Sequence, residues 1–406
     1  MNFIRIIILL IIIFLIEGYF GLKIWKALKK IIKQNVIKTA KIVIIIYFIF
    51  SNIYLFIILL NFAYRYFSGN FLFVNVESNW IDYFLIYPFW INLIIMVQSN
   101  LFFIVLDLLH LILLIFGNLK KKYLKFKPIL VIVIAGIFFL FVPIKIYFDL
   151  DKIDVDTIYY CKQNLPENLD GYKIAFISDI HLDRYTEGEK IDKFINLLNQ
   201  QNPDLVLIGG DLVSSYDHYV DKVAEILSQV KSSDGIYSCV GDHDSWIYRE
   251  SVEKSKYAIM TALNEKNILM LDNENIFVQK DSSTIGITFA TKTYIEKIPQ
   301  YKLDTLSNFR SNIKIMVVHQ PDENIIRESV RNNYDLMFSG HTHGGQITFI
   351  FPFLNLTPTM FETKYIKGEY WFDNMLYVIS DGLGMSIAPI RYNSNASIKV
   401  IICKNK

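Results

Sequence analysis

Residues 173–183 read KIAFISDIHLD, a short apolar run that breaks at Ser178 into Asp179-Ile180-His181. So brief a run, rich in branched side chains and closed by polar residues, reads as a buried strand that ends where the polar residues begin. The same form recurs along the second half of the chain. Leu205–Ile208 precedes Gly209-Gly210-Asp211, and Ile236–Val240 precedes Gly241-Asp242-His243-Asp244. Ile313–Val318 runs into His319, and Leu336–Phe338 into Gly340-His341-Thr342-His343. Between the early strands, Glu189–Gln200, Asp217–Val230 and Glu250–Leu263 carry helical periodicity, the βαβ signature of a largely parallel sheet. Further strands are predicted at Ile276–Val278, Ile285–Ala290, Leu376–Ile379 and Ser397–Ile402. An α/β half followed by a β-rich half implies two packed sheets with helices outside. Open α/β sheets collect their chemistry beyond the carboxyl ends of the strands, where all five fragments fall.

The fragments supply carboxylates and imidazoles and little else. A hard carboxylate beside an imidazole suits Mn, Fe or Zn. In Asp179-x-His181 a bend after the strand lets both side chains enter one crevice. Asp211 follows two glycines, which permit a tight turn, and its two oxygens suit the bridging of two ions. His341 and His343, one residue apart, can approach both ions from one loop, and His319 adds a further nitrogen. Two divalent ions roughly 3.5–4 Å apart would hold a hydroxide and clamp the attacking and leaving oxygens of a phosphoryl displacement. His243, spare in that count, would protonate the leaving oxygen or stabilise its charge. His218 lies outside every fragment and reads as structural.

Composition divides the chain. Residues 1–150 hold 15 Lys and Arg against 5 Asp and Glu, whereas residues 151–406 hold 26 against 34. The formal net charge of +2 therefore hides a basic first part and an acidic second part. An acidic globular part argues against nucleic acid as a partner, because phosphate backbones recruit Lys and Arg. Cys161, Cys239 and Cys403 have no close spacing and make neither a disulfide framework nor a zinc ribbon. Cys239 reads as a small core residue.

The first part is apolar enough to enter lipid. Ile4–Phe20, Ile42–Phe62 and Pro128–Phe148 each have the length that crosses about 30 Å of hydrocarbon. Residues 84–116 form a longer apolar stretch interrupted by Gln98-Ser99-Asn100, which is either one long tilted helix or two re-entrant pieces. Lysines cluster at 23–41 and again at 120–127, and positive loops stay in the cytoplasm. Both clusters remain there only if residues 84–117 make one net crossing. About four spans in residues 1–150 then anchor a domain of residues 151–406 outside the cytoplasmic membrane. Asp149–Asp156 is the expected hinge. Asp107 and His110 share a helix face, which gives either a proton or ion path or, the favoured reading, a buried polar pair that fixes helix packing. Glu17 is a third polar residue within the spans.

The order DxH, GD, GDHD, H, GHxH resembles that of the calcineurin-like metallophosphoesterases, and the chain looks like their membrane-anchored bacterial branch. The likeness covers roughly residues 165–403, including GHTHGGQI and the closing YVISDGLGMSIAPIRY at 377–392. It implies a four-layered αββα sandwich behind an α-helical transmembrane region. It also implies one ion held by Asp179, His181, Asp211 and His343, a second by Asp211, Asp242, His319 and His341, and His243 as the catalytic histidine. Two departures stand out. The family usually has Asn where this chain has Asp242, and an amide can donate to a substrate phosphate where a carboxylate cannot. A changed metal preference or a slower enzyme is expected. At Asn395-Ala396-Ser397 the branch commonly has a Pro-Glu pair. The expected function is a membrane-anchored phosphomonoesterase or phosphodiesterase with two divalent ions, acting on envelope or lipid-linked phosphate esters. The alternatives are a UDP-diacylglucosamine-type pyrophosphatase of lipid A synthesis and a metal-binding sensor with weakened catalysis. Residues 349–361, FIFPFLNLTPTMF, are either a hydrophobic rim for a lipid-linked substrate or buried strand packing.

Overall fold

A computed structural model describes residues 3–68, 79–214, 217–351 and 354–406. The chain divides into two compact units, Met1–Tyr147 with Phe349–Leu356, and Phe148–Thr348 with Thr357–Lys406.

The first unit is helical. Among the described residues, four segments are long and apolar enough to cross a membrane: Ile7–Ile31, Gln34–Arg65, Asn79–Ile115 and Gly117–Asp151. The third is continuous through Gln98-Ser99-Asn100, so the re-entrant alternative does not hold. Those three side chains are buried rather than helix-breaking. Asn100 Nδ2 donates to the Ile16 carbonyl at 2.8 Å. Gln98 gives an N–H to the Ile350 carbonyl at 2.6 Å and accepts the Ile350 N–H at 2.8 Å. Both polar ends of that amide are thus satisfied within an apolar helix, which removes the cost of burying it.

Asp107 does not pair with His110. Its carboxylate takes Lys127 at 2.7 Å, Tyr19 at 2.8 Å, and Lys23. A single carboxylate therefore clamps three helices, while the His110 ring lies 6.2 Å from that of Tyr123. Glu17 is held by Asn52 Nδ2 at 3.0 Å.

The second unit is built on two six-stranded sheets of described strands. The first comprises β1 (Ile153–Lys162), β2 (Lys173–Ile177), β3 (Leu205–Ile208), β4 (Ile236–Cys239) and β5 (Leu269–Leu271). The second takes β6 (Glu274–Lys280), β7 (Ser283–Ala290), β8 (Ile313–Val318) and β9 (Leu336–Ser339). The short hairpin β10 (Phe349–Phe351) and β11 (Leu354–Leu356) stands apart and belongs to the helical unit. β12 (Gly368–Phe372) and β13 (Met375–Ile379) complete the second sheet, and β14 (Ala396–Asn405) returns to the first. Strand orders are β1-β14-β2-β3-β4-β5 and β12-β13-β9-β8-β7-β6.

Side-chain alternation explains the layering. Ile174 and Phe176 of β2, Leu205 and Leu207 of β3, and Ile313, Ile315 and Val317 of β8 meet in one core between the sheets. Their neighbours Ala175, Ile177, Val206 and Ile208 face the helices Glu189–Gln200, Val220–Leu227 and Val252–Asn264. Met316, Val318 and Met337 face the helices Gln300–Ser307 and Glu323–Arg331. The result is the αββα sandwich, with Cys239 buried in its central core.

The expected hinge at Asp149–Asp156 is not a loop. The helix Gly117–Asp151 ends one residue before β1 begins at Ile153. β1 then pairs in parallel with β14 over its whole length, so ten residues are locked into the sheet edge.

The helix Glu323–Arg331 shows how local chemistry fixes an element. Asp322 caps it, accepting the Asn324 and Ile325 N–H groups at 2.9 and 3.1 Å, and pairs with Lys297 at 2.9 Å. Asp322→Ala is expected to cost about 1 kcal/mol. That loss reads as a Tm lower by roughly 2–4 °C in the solubilised full chain; an unchanged Tm would dismiss the cap.

Candidate active site

Every ligand fragment leaves the carboxyl end of a strand in the second unit. Asp179 and His181 follow β2, Asp211 follows β3, and Asp242 and His243 follow β4. His319 is the first residue after β8, and His341 and His343 follow β9. Five of these residues adopt positive φ: Asp179 51°, His181 43°, Asp211 55°, His341 72° and His343 51°. Non-glycine residues rarely do so, and strain of this kind clusters where function holds it in place. The expected bend in Asp179-x-His181 is therefore a left-handed turn at both residues.

Glycines let these turns approach one another. A Cβ on Gly241 would lie 2.2 Å from the Asp211 nitrogen and 2.3 Å from its Oδ1. Asp244, just beyond the predicted set, ties the two loops together. Its buried carboxylate accepts the N–H groups of Asp211, Leu212 and Gly241, each at 2.9 Å. Burial, reinforced by the charge of Asp211, raises this carboxyl to about 6.

The side chains converge. Asp211 Oδ2 lies 3.3 Å from His181 Nε2 and 3.4 Å from His319 Nε2. Asp242 Oδ2 lies 3.2 Å from His319 Nε2 and 3.1 Å from His341 Nδ1. His343 Nε2 is 3.8 Å from Asp179 Oδ1. Two groups result, Asp179-His181-His343 and Asp242-His319-His341, and Asp211 joins with members of both. His243 also reaches the group of His181 and Asp211. All eight predicted residues are thus brought together. His218 is exposed on a short turn and is absent from these groups.

Burial without partners tests whether this set fits metal. Both ring nitrogens of His181, Nε2 of His319 and Nδ1 of His343 are buried without a hydrogen bond. Buried polar atoms in native proteins are normally satisfied. Of the unsatisfied nitrogens, His181 Nε2 and His319 Nε2 face carboxylates, an arrangement that fits a divalent cation of the Mn, Fe or Zn class. His319 Nδ1 lies 2.7 Å from the Gly209 carbonyl, which makes Nδ1 the donor and leaves Nε2 facing the carboxylates.

The sequence did not reveal the groups that hold these ligands. Glu362 accepts from His341 Nε2 at 2.9 Å and also takes the Tyr294 hydroxyl. Burial alone would lower His341, but Asp242 and Glu362 outweigh it and lift the imidazole to about 9. Both oxygens of Asp242 have donors, Tyr294 N–H on Oδ1 and Gln320 Nε2 on Oδ2, each at 2.7 Å. Arg391 is fully buried and donates to the carbonyls of Asp381, Gly382, Gly384, His343 and Ser394, pinning the closing segment against the His343 loop. The unusual Asn395-Ala396-Ser397 also finds partners. Asn395 donates to Asp154 at 2.7 Å and Ser397 to Asp381 at 2.6 Å.

His243 is buried by its surroundings, and that burial, ahead of the pull of Asp211, keeps its imidazole below the ordinary value. Its Nδ1 meets the Ser214 carbonyl, which can only accept, so Nδ1 carries the proton in the neutral ring.

Comparison with known proteins agrees with this geometry. The Calcineurin-like phosphoesterase family matches residues 172–345. The uncharacterized metallophosphoesterase YkuE of Bacillus subtilis is 30% identical over 244 residues, covering 59% of this chain and 82% of that protein. The uncharacterized metallophosphoesterase Cj0846 of Campylobacter jejuni is 27% identical over 322 residues, covering 75% of this chain and 79% of that protein. A transmembrane protein with metallophosphoesterase domain from Danio rerio is 29% identical over 251 residues. The match takes in 60% of this chain but only 55% of the fish protein, about half its length. With strand ends, ligand types and relatives in agreement, the chain belongs to the calcineurin-like metallophosphoesterases, metal-dependent hydrolases of phosphate esters.

Proposed function

We propose that this protein is a membrane-anchored phosphohydrolase with two divalent ions, acting on lipid-linked or envelope phosphate esters outside the cytoplasmic membrane. The observation that carries the two-ion reading is the pair of ligand groups with Asp211 between them. Asp179, His181, Asp211 and His343 would hold one ion, and Asp211, Asp242, His319 and His341 the other. Bound there, the ions would activate water and neutralise charge on the phosphoryl oxygens. The protein's own residues do the rest. Asp244 keeps the Asp211 and Asp242 loops in register, Glu362 orients His341, and His243, in its protonated form, donates from Nε2 to the departing oxygen while Nδ1 stays on the Ser214 carbonyl.

Two observations support an apolar substrate. Met360 and Phe361 are exposed, Phe361 at 91%, and directly precede Glu362, the partner of His341. Tyr294, which contacts both Asp242 and Glu362, is also largely exposed. Apolar side chains at the lip of a polar site suit a substrate with a hydrocarbon portion. In β10 and β11 the side chains of Ile350 and Leu354 are exposed, which disfavours buried strand packing for these two residues.

The proposed orientation draws its support from Asp107. Lys23 and Lys127 meet the same carboxylate, so the two lysine-rich loops lie at one end of the helical unit. Placing that end in the cytoplasm sends the catalytic unit to the other face after four crossings. A pyrophosphatase of cytoplasmic lipid A synthesis would need the opposite face.

The test uses the purified full chain stripped with chelator, then reloaded with Mn²⁺ or Zn²⁺. Hydrolysis should return with metal and should favour a lipid-linked phosphate over its water-soluble headgroup. A C-terminal reporter should register outside the cytoplasm. Activity indifferent to chelation would refute the mechanism, and a cytoplasmic reporter the orientation.

A further inference from the structure

Asp242 presents a carboxylate, which cannot donate to a phosphate unless protonated, and its surroundings are arranged around that charge. Gln320, 5% exposed, gives its Nε2 to Asp242 Oδ2 at 2.7 Å. Its Oε1 receives Lys292 Nζ at 2.7 Å. The orientation of this amide is fixed by chemistry on both sides. A lysine ammonium only donates, so the atom facing it is the oxygen; an ionised carboxylate only accepts, so the atom facing Asp242 is the nitrogen. The backbone holds the same register, because the Gln320 N–H donates to the Lys292 carbonyl at 3.3 Å.

Three consequences follow. First, the negative charge added at 242 is connected to a cation, Lys292, through a single amide. Second, Gln320 Nε2 sits 2.7 Å from a carboxylate oxygen that is itself 3.2 Å from His319 and 3.1 Å from His341. An amide nitrogen has two N–H groups, and Asp242 engages one. Third, an asparagine at 242 would not fit the set as it stands. Tyr294 N–H and Gln320 Nε2 both donate to residue 242, so one of them would meet an NH₂ group.

We infer that Gln320, oriented by Lys292, is a phosphate-binding residue of this site and supplies the amide donor that Asp242 lacks. The inference rests on the phosphohydrolase reading above and deepens it. The donor lies on the loop after β8, beside the ligand His319. The ligand it recognises is the phosphoryl group common to all phosphate esters, whatever the leaving group.

The test uses the full-length protein loaded with Mn²⁺, with inorganic phosphate as the probe. Phosphate affinity is read by calorimetry and by competitive inhibition, and metal content by elemental analysis. Gln320→Met keeps the volume and removes the donor. It should weaken phosphate binding roughly tenfold to hundredfold, the range for a hydrogen bond to a charged group. It should raise KM by a similar factor with kcat less affected, and leave metal content unchanged. Lys292→Met should move the same parameters in the same direction by less.

Unchanged phosphate affinity in Gln320→Met overturns the inference. So does a Gln320→Met protein that loses metal, which would make the residue a support for Asp242 alone. A parent protein that neither binds phosphate nor hydrolyses any phosphoester refutes the phosphohydrolase reading instead.

Discussion

Asp211→Ala is expected to abolish metal-dependent hydrolysis, lowering kcat about a thousandfold or more. The reason is its position in the charge pattern. Asp211 Oδ2 lies within 3.4 Å of both His181 and His319, and the residue shares ligand groups with members of both clusters. Its Oδ1 accepts the His243 N–H at 2.7 Å, so the same carboxylate sets the backbone that presents the proposed proton donor. Lewis-acid stabilisation of a phosphoryl displacement is worth several kcal/mol, and each ~1.4 kcal/mol is tenfold in rate. Losing the metal that this carboxylate would hold should therefore remove about three orders of magnitude. Elemental analysis should show fewer than two ions per chain. The fold should persist, because the two cores on either side of the first sheet are apolar and do not involve this carboxylate. A circular dichroism spectrum like the parent's is the control. An Asp211→Ala protein that keeps two ions and turns over within tenfold of the parent would remove Asp211 from the centre of the site.

The sequence carried the strands that lie in the middle of each sheet and missed those that depend on a partner. β2, β3, β8 and β9 are short apolar runs buried on both faces, and their limits were legible to within a residue. The expected hinge at Asp149–Asp156 overlaps the start of β1, where charged residues alternate with apolar ones. Asp154 and Asp156 in it are balanced by Asn395 and Lys399 of and beside β14, more than two hundred residues away. β12 and the helices Gln300–Ser307 and Glu323–Arg331 were overlooked because each is short, although Asp322 before the latter offered a capping signal. For the site the division is similar. Each metal-binding candidate announces itself by residue type at a strand end. Glu362, Gln320 and Arg391 act through contacts across tertiary space; the stretch around Arg391 stands out in the sequence, but the role of the residue does not. The positive φ values that aim five of the ligands are likewise invisible to residue type, since aspartate and histidine take many backbone conformations. In the helical unit, the pairing of Asp107 with Lys23 and Lys127 shows the same limit. Spacing placed it beside His110, but three-dimensional proximity to two cations decided its partner.

His243→Asn separates proton transfer from metal binding. The contact between His243 and Asp211 runs through the backbone N–H, so an asparagine retains it. What disappears is the imidazole, whose Nδ1 is engaged with the Ser214 carbonyl and whose ring stands 4.6 Å from that of His181. General acid catalysis by a positioned histidine contributes roughly 10²–10⁴-fold, so kcat should fall by about that factor while metal content stays at the parent level. The size of the loss should depend on the leaving group. An alkyl alkoxide needs a proton as it departs, whereas a nitrophenolate is stable without one. The substitution should therefore cost a simple alkyl phosphate far more than a nitrophenyl phosphate, and the ratio of the two losses measures the proton delivered at Nε2. Should both substrates lose the same factor together with an ion, His243 would instead be a ligand beside His181 and Asp211, a role its position within that group also permits.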